Sequence, residues 1–361
     1  MVKKNNYIIL KKKLINIFKR VLVSIFYLLG LILISITLLE IALYYSLQCP
    51  ICWSIVDNKF IAQKIVRSER NVIQFMEECS GYDKDLSYRL KPGSCNFSNI
   101  EFDTTININQ DGFRVSSDST VKDNNCTIAF LGDSLTMGWG VEDYETYSSI
   151  ISNKMRCNGY NMGVSSYGTV REVLRLNESN MPIPDYIVLQ YADNDLKENR
   201  SFYNNSNSLD IMSEDKYNSI RSQYLIKKEY FFYKYTYVLF KGIFTHFKKR
   251  DNKLSKGNAD KIKEVDYFYN AILKLKPKFK EVKLIIFELN STNRNDNSFI
   301  SALRKKYYKK LQEKFPNIIL LSIEKDLNIN NYFVFDDHMN VSGHKIIANK
   351  LEKFLLGRSN K

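Results

Sequence analysis

The stretch that most limits the possible folds of this chain is an apolar run from Val21 to Tyr45. Glu40 is the only charged residue in this run. About 20 apolar residues are enough for a helix to cross a bilayer. We therefore predict a transmembrane helix at residues 21–45, preceded by a basic tail at residues 1–20. A cleavable signal peptide is the rival interpretation, but the run is long for one and no small-residue cleavage site follows it. A soluble amphipathic helix is disfavoured because the run is apolar on every face.

The charge pattern predicts how this helix is oriented. Residues 1–20 contain seven Lys and Arg residues and no acid. Basic flanks stay in the cytoplasm, so the chain after residue 45 is predicted to lie outside it as a single-pass membrane protein. Seven of the fourteen net positive charges belong to the tail, which leaves a modestly basic remainder. We expect no nucleic-acid partner, since a basic, aromatic-laced motif is missing.

All six cysteines lie beyond the predicted span, in a compartment where disulfides persist. Their number is even, but the pairing cannot be deduced from the sequence. Cys49 and Cys52 have the spacing of a redox motif without a thioredoxin-like strand before them, so we interpret them as a local disulfide or as inert thiols. No histidine lies near a cysteine pair, and we expect no metal. The cysteines are Cys49, Cys52, Cys79, Cys95, Cys126 and Cys157.

From residue 126 onward, strand-like and helix-like segments alternate, which is typical of a parallel sheet covered by helices on both faces. The pattern predicts a three-layer α/β/α fold with a mainly parallel sheet of about five strands. We assign it to a domain at residues 126–361, interrupted by an insertion at 196–265. Residues 46–125 are expected to form a juxtamembrane helix and leader strands that pack beside the sheet. The candidate strands are 127–132, 160–164, 185–191, 283–289 and 317–323.

The first candidate strand ends at a turn that can expose a nucleophile. Gly132 follows the apolar residues, and Ser134 follows two positions later. A strand that ends at a glycine can present a serine at the top of a sheet. Thr136 stands where the usual α/β-hydrolase turn has its second glycine, so this is a different turn. A buried strand end with a capping serine is the structural alternative.

A serine nucleophile needs a base, and that base needs a carboxylate to orient it. The chain has three histidines, His246, His338 and His344. Asp336 and Asp337 lie beside His338, which makes His338 the candidate base. His246 has no neighbouring acid and is interpreted as a rim or core histidine, while His344 is expected to serve packing.

Four segments in this order resemble the signature blocks of the GDSL, or SGNH, hydrolases. The first is Gly-Asp-Ser-Leu at 132–135. The second surrounds Ser166, with Gly163 and Gly168 nearby. The third is Ala192-Asp193-Asn194-Asp195, in which Asn194 and Asp195 match and Ala192 replaces the usual glycine.

The fourth block departs from the family at one position. The family usually has an aspartate three residues before the histidine, and Phe335 occupies that place here. Asp336, two residues before His338, has the spacing of many membrane-anchored relatives. We therefore favour Asp336 over Asp337 as the orienting carboxylate.

The resemblance implies a flavodoxin-like SGNH fold. It also implies an enzyme that transfers acyl groups from esters and needs no cofactor. Ser134 would attack the carbonyl, His338 would act as general base and then general acid, and Asp336 would orient it. The backbone N–H groups of Ser134 and Ser166 and the side chain of Asn194 would stabilise the oxyanion.

The predicted location suggests the substrate, an acyl ester of an extracytoplasmic carbohydrate, with O-acetyl as the favoured group. The alternatives are a lysophospholipase or lipase, an O-acyltransferase, and an inactive glycan-binding protein of the same fold. Residues 230–249 are aromatic and basic. They would either lie on a membrane surface, which favours the lysophospholipase, or pack over the rim of the site, which we prefer.

Overall fold

A computed structural model describes residues 2–56, 59–115, 126–250, 259–291, 297–323, 326–355 and 357. Its α-helices are α1 (Val2–Leu47), α2 (Pro50–Ser54), α3 (Phe60–Glu69), α4 (Ser134–Met137), α5 (Tyr147–Met155), α6 (Thr169–Glu178), α7 (Asp195–Asn204), α8 (Glu214–Lys228), α9 (Lys234–Arg250), α10 (Ala259–Ile272), α11 (Ser298–Lys314) and α12 (Val341–Leu355). Its strands are β1 (Ser80–Asp83), β2 (Ser87–Leu90), β3 (Gly93–Asn99), β4 (Phe102–Ile108), β5 (Arg114–Val115), β6 (Cys126–Leu131), β7 (Cys157–Asn161), β8 (Tyr186–Tyr191), β9 (Lys283–Glu288) and β10 (Ile318–Leu321).

The main sheet has eight strands in the order β10-β9-β8-β6-β7-β5-β4-β3. The five strands from β10 to β7 are mutually parallel, and numbered along the chain they follow the order 2-1-3-4-5 of flavodoxin-like sheets. The remaining three pair antiparallel. The predicted α/β architecture is confirmed, but the prediction of about five strands is wrong, because the sheet is mixed and larger. The leader strands continue the sheet from β7, whose backbone groups would otherwise form an unpaired edge.

Alternate residues of the parallel strands pack into two different cores. Ala129 and Leu131 of β6 point into a cluster with α6, α10 and α11. Ile128 and Phe130 of the same strand point into a second cluster with α5 and α12. A sheet covered on both faces requires apolar side chains on both, which explains the continuous apolar run of β6.

Three disulfides join the six cysteines. They link Cys49 to Cys52, Cys79 to Cys95, and Cys126 to Cys157. Cys126 and Cys157 are register partners at the starts of β6 and β7, so this bridge ties together two neighbouring strands. The structure thus decides the pairing that the sequence left open.

The helix α1 contains the predicted transmembrane segment. By length and composition it could cross a membrane between Lys11 and Leu47, and its apolar window is not buried in the protein. Glu40, by contrast, is buried, as is Leu47 at the end of the helix. The Glu40 carboxylate accepts hydrogen bonds from the backbone N–H groups of Tyr235 at 3.1 Å and Thr236 at 2.8 Å, which attaches the start of α9 to α1.

Arg114, to which the sequence assigned no role, is buried in the middle of the protein. Its guanidinium pairs with Asp143 at 2.7 Å and donates to the carbonyl oxygens of Met137, Gly138 and Val141. These carbonyls belong to the loop that follows Ser134. Strand β5 therefore holds the loop beside Ser134 in place.

Replacing Arg114 with methionine should lower the free energy of unfolding by about 3–5 kcal/mol, because three buried carbonyl oxygens would lose their donor and half-buried Asp143 would lose its ion-pair partner. Chemical denaturation of the full chain in detergent would measure this loss. Arg89→Met is the matched control, since its side chain is 36% exposed and its ion pairs should contribute no more than about 1 kcal/mol. Equal losses in the two variants would contradict the structural role of Arg114.

Candidate active site

The candidate site lies at the carboxyl ends of the parallel strands, where β6 is flanked by β7 and β8. Flavodoxin-like sheets bind ligands at this point because the order of the strands reverses there. Gly132 makes the turn after β6 with φ of +155°, and a Cβ at this position would collide with Thr136. Asp133 then caps α4 by accepting a hydrogen bond from Leu135 N at 2.9 Å. Ser134 is therefore the first residue of a short helix held against the strand end.

Three of the predicted residues form a continuous hydrogen-bonded chain. Ser134 Oγ lies 2.8 Å from His338 Nε2, and His338 Nδ1 lies 2.5 Å from Asp336 Oδ1. All three residues are buried. The nearest carboxylate oxygen of Asp337 lies 3.6 Å from Nδ1, beyond hydrogen-bond range. The structure therefore brings Asp336, and not Asp337, into contact with the imidazole.

Two further residues, Trp139 and Arg70, support the imidazole and its carboxylate. The Trp139 ring stacks on the His338 ring with centroids 4.4 Å apart and planes 9° apart. Its Nε1 donates to Asp336 Oδ2 at 3.2 Å. Arg70 follows the end of α3, and its guanidinium pairs with Asp336 at 3.2 Å and Asp337 at 3.0 Å.

Sequence reasoning missed both supporting residues for different reasons. Trp139 lies in the same stretch as Ser134, so its closeness to the nucleophile was the available signal. Arg70 lies in the predicted juxtamembrane segment, far from every block, and no local pattern marks it. Only the packing of α3 beside the His338 loop brings Arg70 to the site.

The neighbouring charges of His338 and Arg70 determine the protonation state of the Asp336 carboxyl. Burial pushes its pKa up, but the charges of His338 and then Arg70 more than reverse this, so the pKa lies below the usual value. Asp336 is therefore a carboxylate at neutral pH. The loop that carries it is held by Glu101, whose carboxylate accepts from the backbone N–H groups of Val334, Phe335 and Asp336 at 2.6, 2.8 and 2.9 Å. Glu101 was also missed by the sequence analysis.

The three residues predicted for the oxyanion hole line one cavity of about 170 Å³. Asn194 Nδ2 donates to Asp133 Oδ2 at 3.0 Å, and a primary amide has a second N–H to offer. Ser166 has a left-handed backbone with φ of +63°, and its Oγ accepts a hydrogen bond from Gln74 at 3.2 Å. Asp133 is buried, and this burial raises the pKa of its carboxyl. Ser134, Ser166 and Asn194 thus surround the same space.

The nearby glycines have packing roles. A Cβ at Gly163 would collide with the backbone of Met137, so this glycine allows the turn after β7 to approach α4. The N–H of Gly168 is occupied by Glu198 at 3.2 Å.

The other two histidines lie outside this hydrogen-bonded chain. Nδ1 of His344 accepts from the backbone N–H of Tyr147 at 3.2 Å, and burial lowers its pKa to about 3. It is therefore a neutral packing residue, as predicted. The side chain of His246 lies outside the described residues.

The carboxylates and imidazole of Asp336, Asp337 and His338 are the kind of group that could hold a metal ion, since their ligand atoms lie within 4.8 Å of one another. The Arg70 guanidinium is already paired with both carboxylates. A fixed positive charge at this place opposes a second cation, so we assign no metal to the cluster.

The aromatic segment at 230–249 takes a different position from the one predicted. Among the described residues, those that line the cavity come from the leader and from the strand ends, with Arg70, Val72 and Gln74 as the leader's contribution. Helix α9 packs against α1 and α3. The expectation that 230–249 covers the rim is therefore wrong for its described part, because Glu40 holds the start of α9 against α1.

Solved structures show which proteins this chain is similar to. A protein from Bacteroides ovatus described as a GDSL-like lipase is 12% identical, with 64% of this chain and 53% of that chain covered and a TM-score of 0.38. A family two carbohydrate esterase from Clostridium thermocellum is 12% identical, with 65% of both chains covered and a TM-score of 0.41. An acetyl xylan esterase from Butyrivibrio proteoclasticus is 11% identical, with 65% of both chains covered and a TM-score of 0.40.

These descriptions include the family that the four sequence blocks resemble. The chain spans between about half and two thirds of the length of these three proteins. No family model and no curated protein matches the chain. Superpositions with such scores carry no argument about activity, so the proposals below rest on the residues of this chain.

Replacing Arg70 with glutamine should slow the reaction of Ser134 with a fluorophosphonate probe by about ten- to a hundredfold, because a loosened Asp336 misplaces His338. The labelling rate of the full chain in detergent would measure this. Arg67→Gln is the control and should label at nearly the normal rate, since within the described part of the chain Arg67 pairs with Asp337, at 3.6 Å, and not with Asp336. Normal labelling of Arg70→Gln would remove Arg70 from the site.

Proposed function

We propose that this chain is a serine ester hydrolase of the SGNH/GDSL type. The observation that carries the proposal is the hydrogen-bonded chain from Ser134 through His338 to Asp336, which opens into a cavity lined by Ser166 and Asn194. A serine with a base in hydrogen-bond contact, and a base oriented by a buried carboxylate, is the arrangement that activates a hydroxyl for acyl transfer.

In the proposed reaction, Ser134 Oγ attacks the ester carbonyl while its proton moves to His338 Nε2. Asp336 holds the other ring nitrogen and stabilises the imidazolium. The N–H groups of Ser134 and Ser166 and the Asn194 amide stabilise the oxyanion. His338 then protonates the departing alcohol, and water, activated by the same imidazole, releases the acid from Ser134.

We infer that the substrate is an acyl ester, with O-acetyl favoured, on a carbohydrate outside the cytoplasm. The cavity of about 170 Å³ suits a small acyl group, and most of its lining side chains are polar. The basic tail, the apolar helix α1 and the three disulfides together support a membrane-anchored protein whose site faces an oxidising compartment. Transfer of the acyl group to a sugar hydroxyl would use the same acyl-enzyme.

A lysophospholipase is the second candidate, because one observation favours it. The start of the aromatic segment at 230–244 is attached to α1, within the stretch predicted to cross the membrane. The small, polar cavity weighs against it, since a fatty acyl chain requires a long apolar channel. A glycan-binding protein without activity is the third candidate and predicts a Ser134 that does not react.

Ser134→Ala and His338→Ala should each lower ester turnover by about four to six orders of magnitude, because they remove the nucleophile or its base. Asp336→Asn should also lower turnover severely, but by less than the two alanine substitutions. Asp337→Asn is the matched control and should stay within about tenfold of the normal rate, because Asp337 makes no hydrogen bond to the imidazole. Hydrolysis of p-nitrophenyl acetate would measure all four. A larger loss in Asp337→Asn than in Asp336→Asn would overturn the assignment of the carboxylate.

Substrate preference can be tested by incubating the purified full chain with acetylated polysaccharide, p-nitrophenyl acetate and lysophospholipid. We expect acetate from the first two and little fatty acid from the third, because the cavity accommodates a small acyl group. Ser134→Ala supplies the blank. Fatty acid as the main product would support the lysophospholipase, and a Ser134 that a fluorophosphonate fails to label would support the inactive binding protein.

A further inference from the structure

The single charged residue of the apolar run attaches a second helix to α1. Glu40 accepts hydrogen bonds from the N–H groups of Tyr235 and Thr236, in the first turn of α9, where a carboxylate is favoured by the helix dipole. One turn earlier on α1, Thr37 Oγ1 lies 2.9 Å from Tyr233 Oη. The start of α9 is therefore joined to α1 inside the stretch that was predicted to cross the membrane.

Apolar contacts continue this attachment along one face of α9. Leu47 of α1 shares a buried cluster with Tyr235 of α9 and Ile65 of α3, and Leu43 and Val238 pack against it. This face of α9 is covered by protein. The attachment therefore determines which side of α9 remains open.

The open side of α9 carries large aromatic residues. Tyr237, Phe240 and Phe244 are 55%, 45% and 73% exposed, and they lie one helical turn apart on the same face. Lys241 lies between them on this face. The turn before α9 exposes Phe231 and Phe232, each by 54%. Exposed apolar patches of this kind mark a binding surface.

Helix α1 also exposes apolar and aromatic side chains near this attachment. Leu38 and Tyr45, which flank Glu40 on α1, are 61% and 70% exposed. A lipid surface matches both parts, because aromatic rings and lysine are the side chains enriched where hydrocarbon meets the headgroups. A bilayer crossed by α1 would be the nearest apolar phase to this patch.

We propose that the outer surface of the bilayer crosses α1 near Thr37 and Glu40, and that residues 230–244 lie in its interfacial layer. The inference rests on the proposed anchoring by α1. It shortens the membrane-crossing part of α1 to residues before about 37 and makes α9 a second membrane contact. The cluster that contains Leu47 also contains Phe335, the neighbour of Asp336. The active site is thus held beside the membrane surface, which restricts it to esters within reach of that surface.

Tryptophan fluorescence can test the depth of the patch in the full chain. Phe240→Trp and Phe244→Trp are reconstituted separately in vesicles with and without lipids brominated near the top of the acyl chain. The signal of the native protein is subtracted, since Trp53 and Trp139 contribute to it. Ile183→Trp is the control, because Ile183 is 58% exposed and precedes β8. It therefore lies at the amino ends of the parallel strands, opposite the site.

We expect bromine to quench most of the added fluorescence at 240 and 244 and to leave that at 183 unchanged. Equal quenching at all three positions, or none at 240 and 244, would overturn the docking of α9. Fluorescence at 240 that changes with protein density but not with bromine would show a second copy on the patch and would also overturn it. Extraction at alkaline pH tests the anchor separately, since a chain that washes off the vesicles would disprove both the anchoring and the docking that rests on it. The esterase proposal is untouched by any of these results, because p-nitrophenyl acetate hydrolysis is measured in detergent.

Discussion

The buried carboxylate of Asp336 is the group on which the arrangement of the site depends. A charge removed from water is costly unless it is paired and hydrogen-bonded. Its partners are the imidazole and backbone N–H of His338, the indole N–H of Trp139 and the guanidinium of Arg70. They come from the C-terminal loop, the stretch after Ser134 and the end of α3. Satisfying one carboxylate therefore requires three distant parts of the chain to meet at the same point.

Because Arg70 is one of these partners, the segment at 46–125 that precedes the parallel strands helps to form the site. Strands β3 to β5 extend the main sheet, and Glu101, at the turn between β3 and β4, holds the backbone of the His338 loop through three hydrogen bonds. Arg114 of β5 holds the loop on the other side, after Ser134. Phe335 packs into the same cluster as Leu47 of α1. Phe335 occupies the place where the GDSL hydrolases, which the sequence blocks resemble, usually have an aspartate. This buried place suits a phenylalanine better than an unpaired carboxylate.

Much of the fold and the centre of the site could be predicted because their signals are local. The apolar run of β6, the glycine that ends it and Ser134 two residues later follow one another in the sequence, and Asp336 and His338 are two residues apart. The size of the sheet could not be predicted. Strand β4 alternates buried and exposed residues, so a strand can be predicted there, but the pairing of β5 with β7 depends on an edge that exists only after the parallel strands have assembled.

The sequence by itself determined the alternation of strands and helices, the apolar helix and its basic flank, and the residue types of the candidate nucleophile, base and carboxylate. These features depend on neighbours within a few positions, so periodicity and spacing record them. Tertiary structure alone decided that Arg70 and Trp139 support Asp336 and His338, and that Glu40 holds α9 against α1. Each is a contact between residues far apart in the chain, and only the packing of a complete fold brings such groups within hydrogen-bond distance.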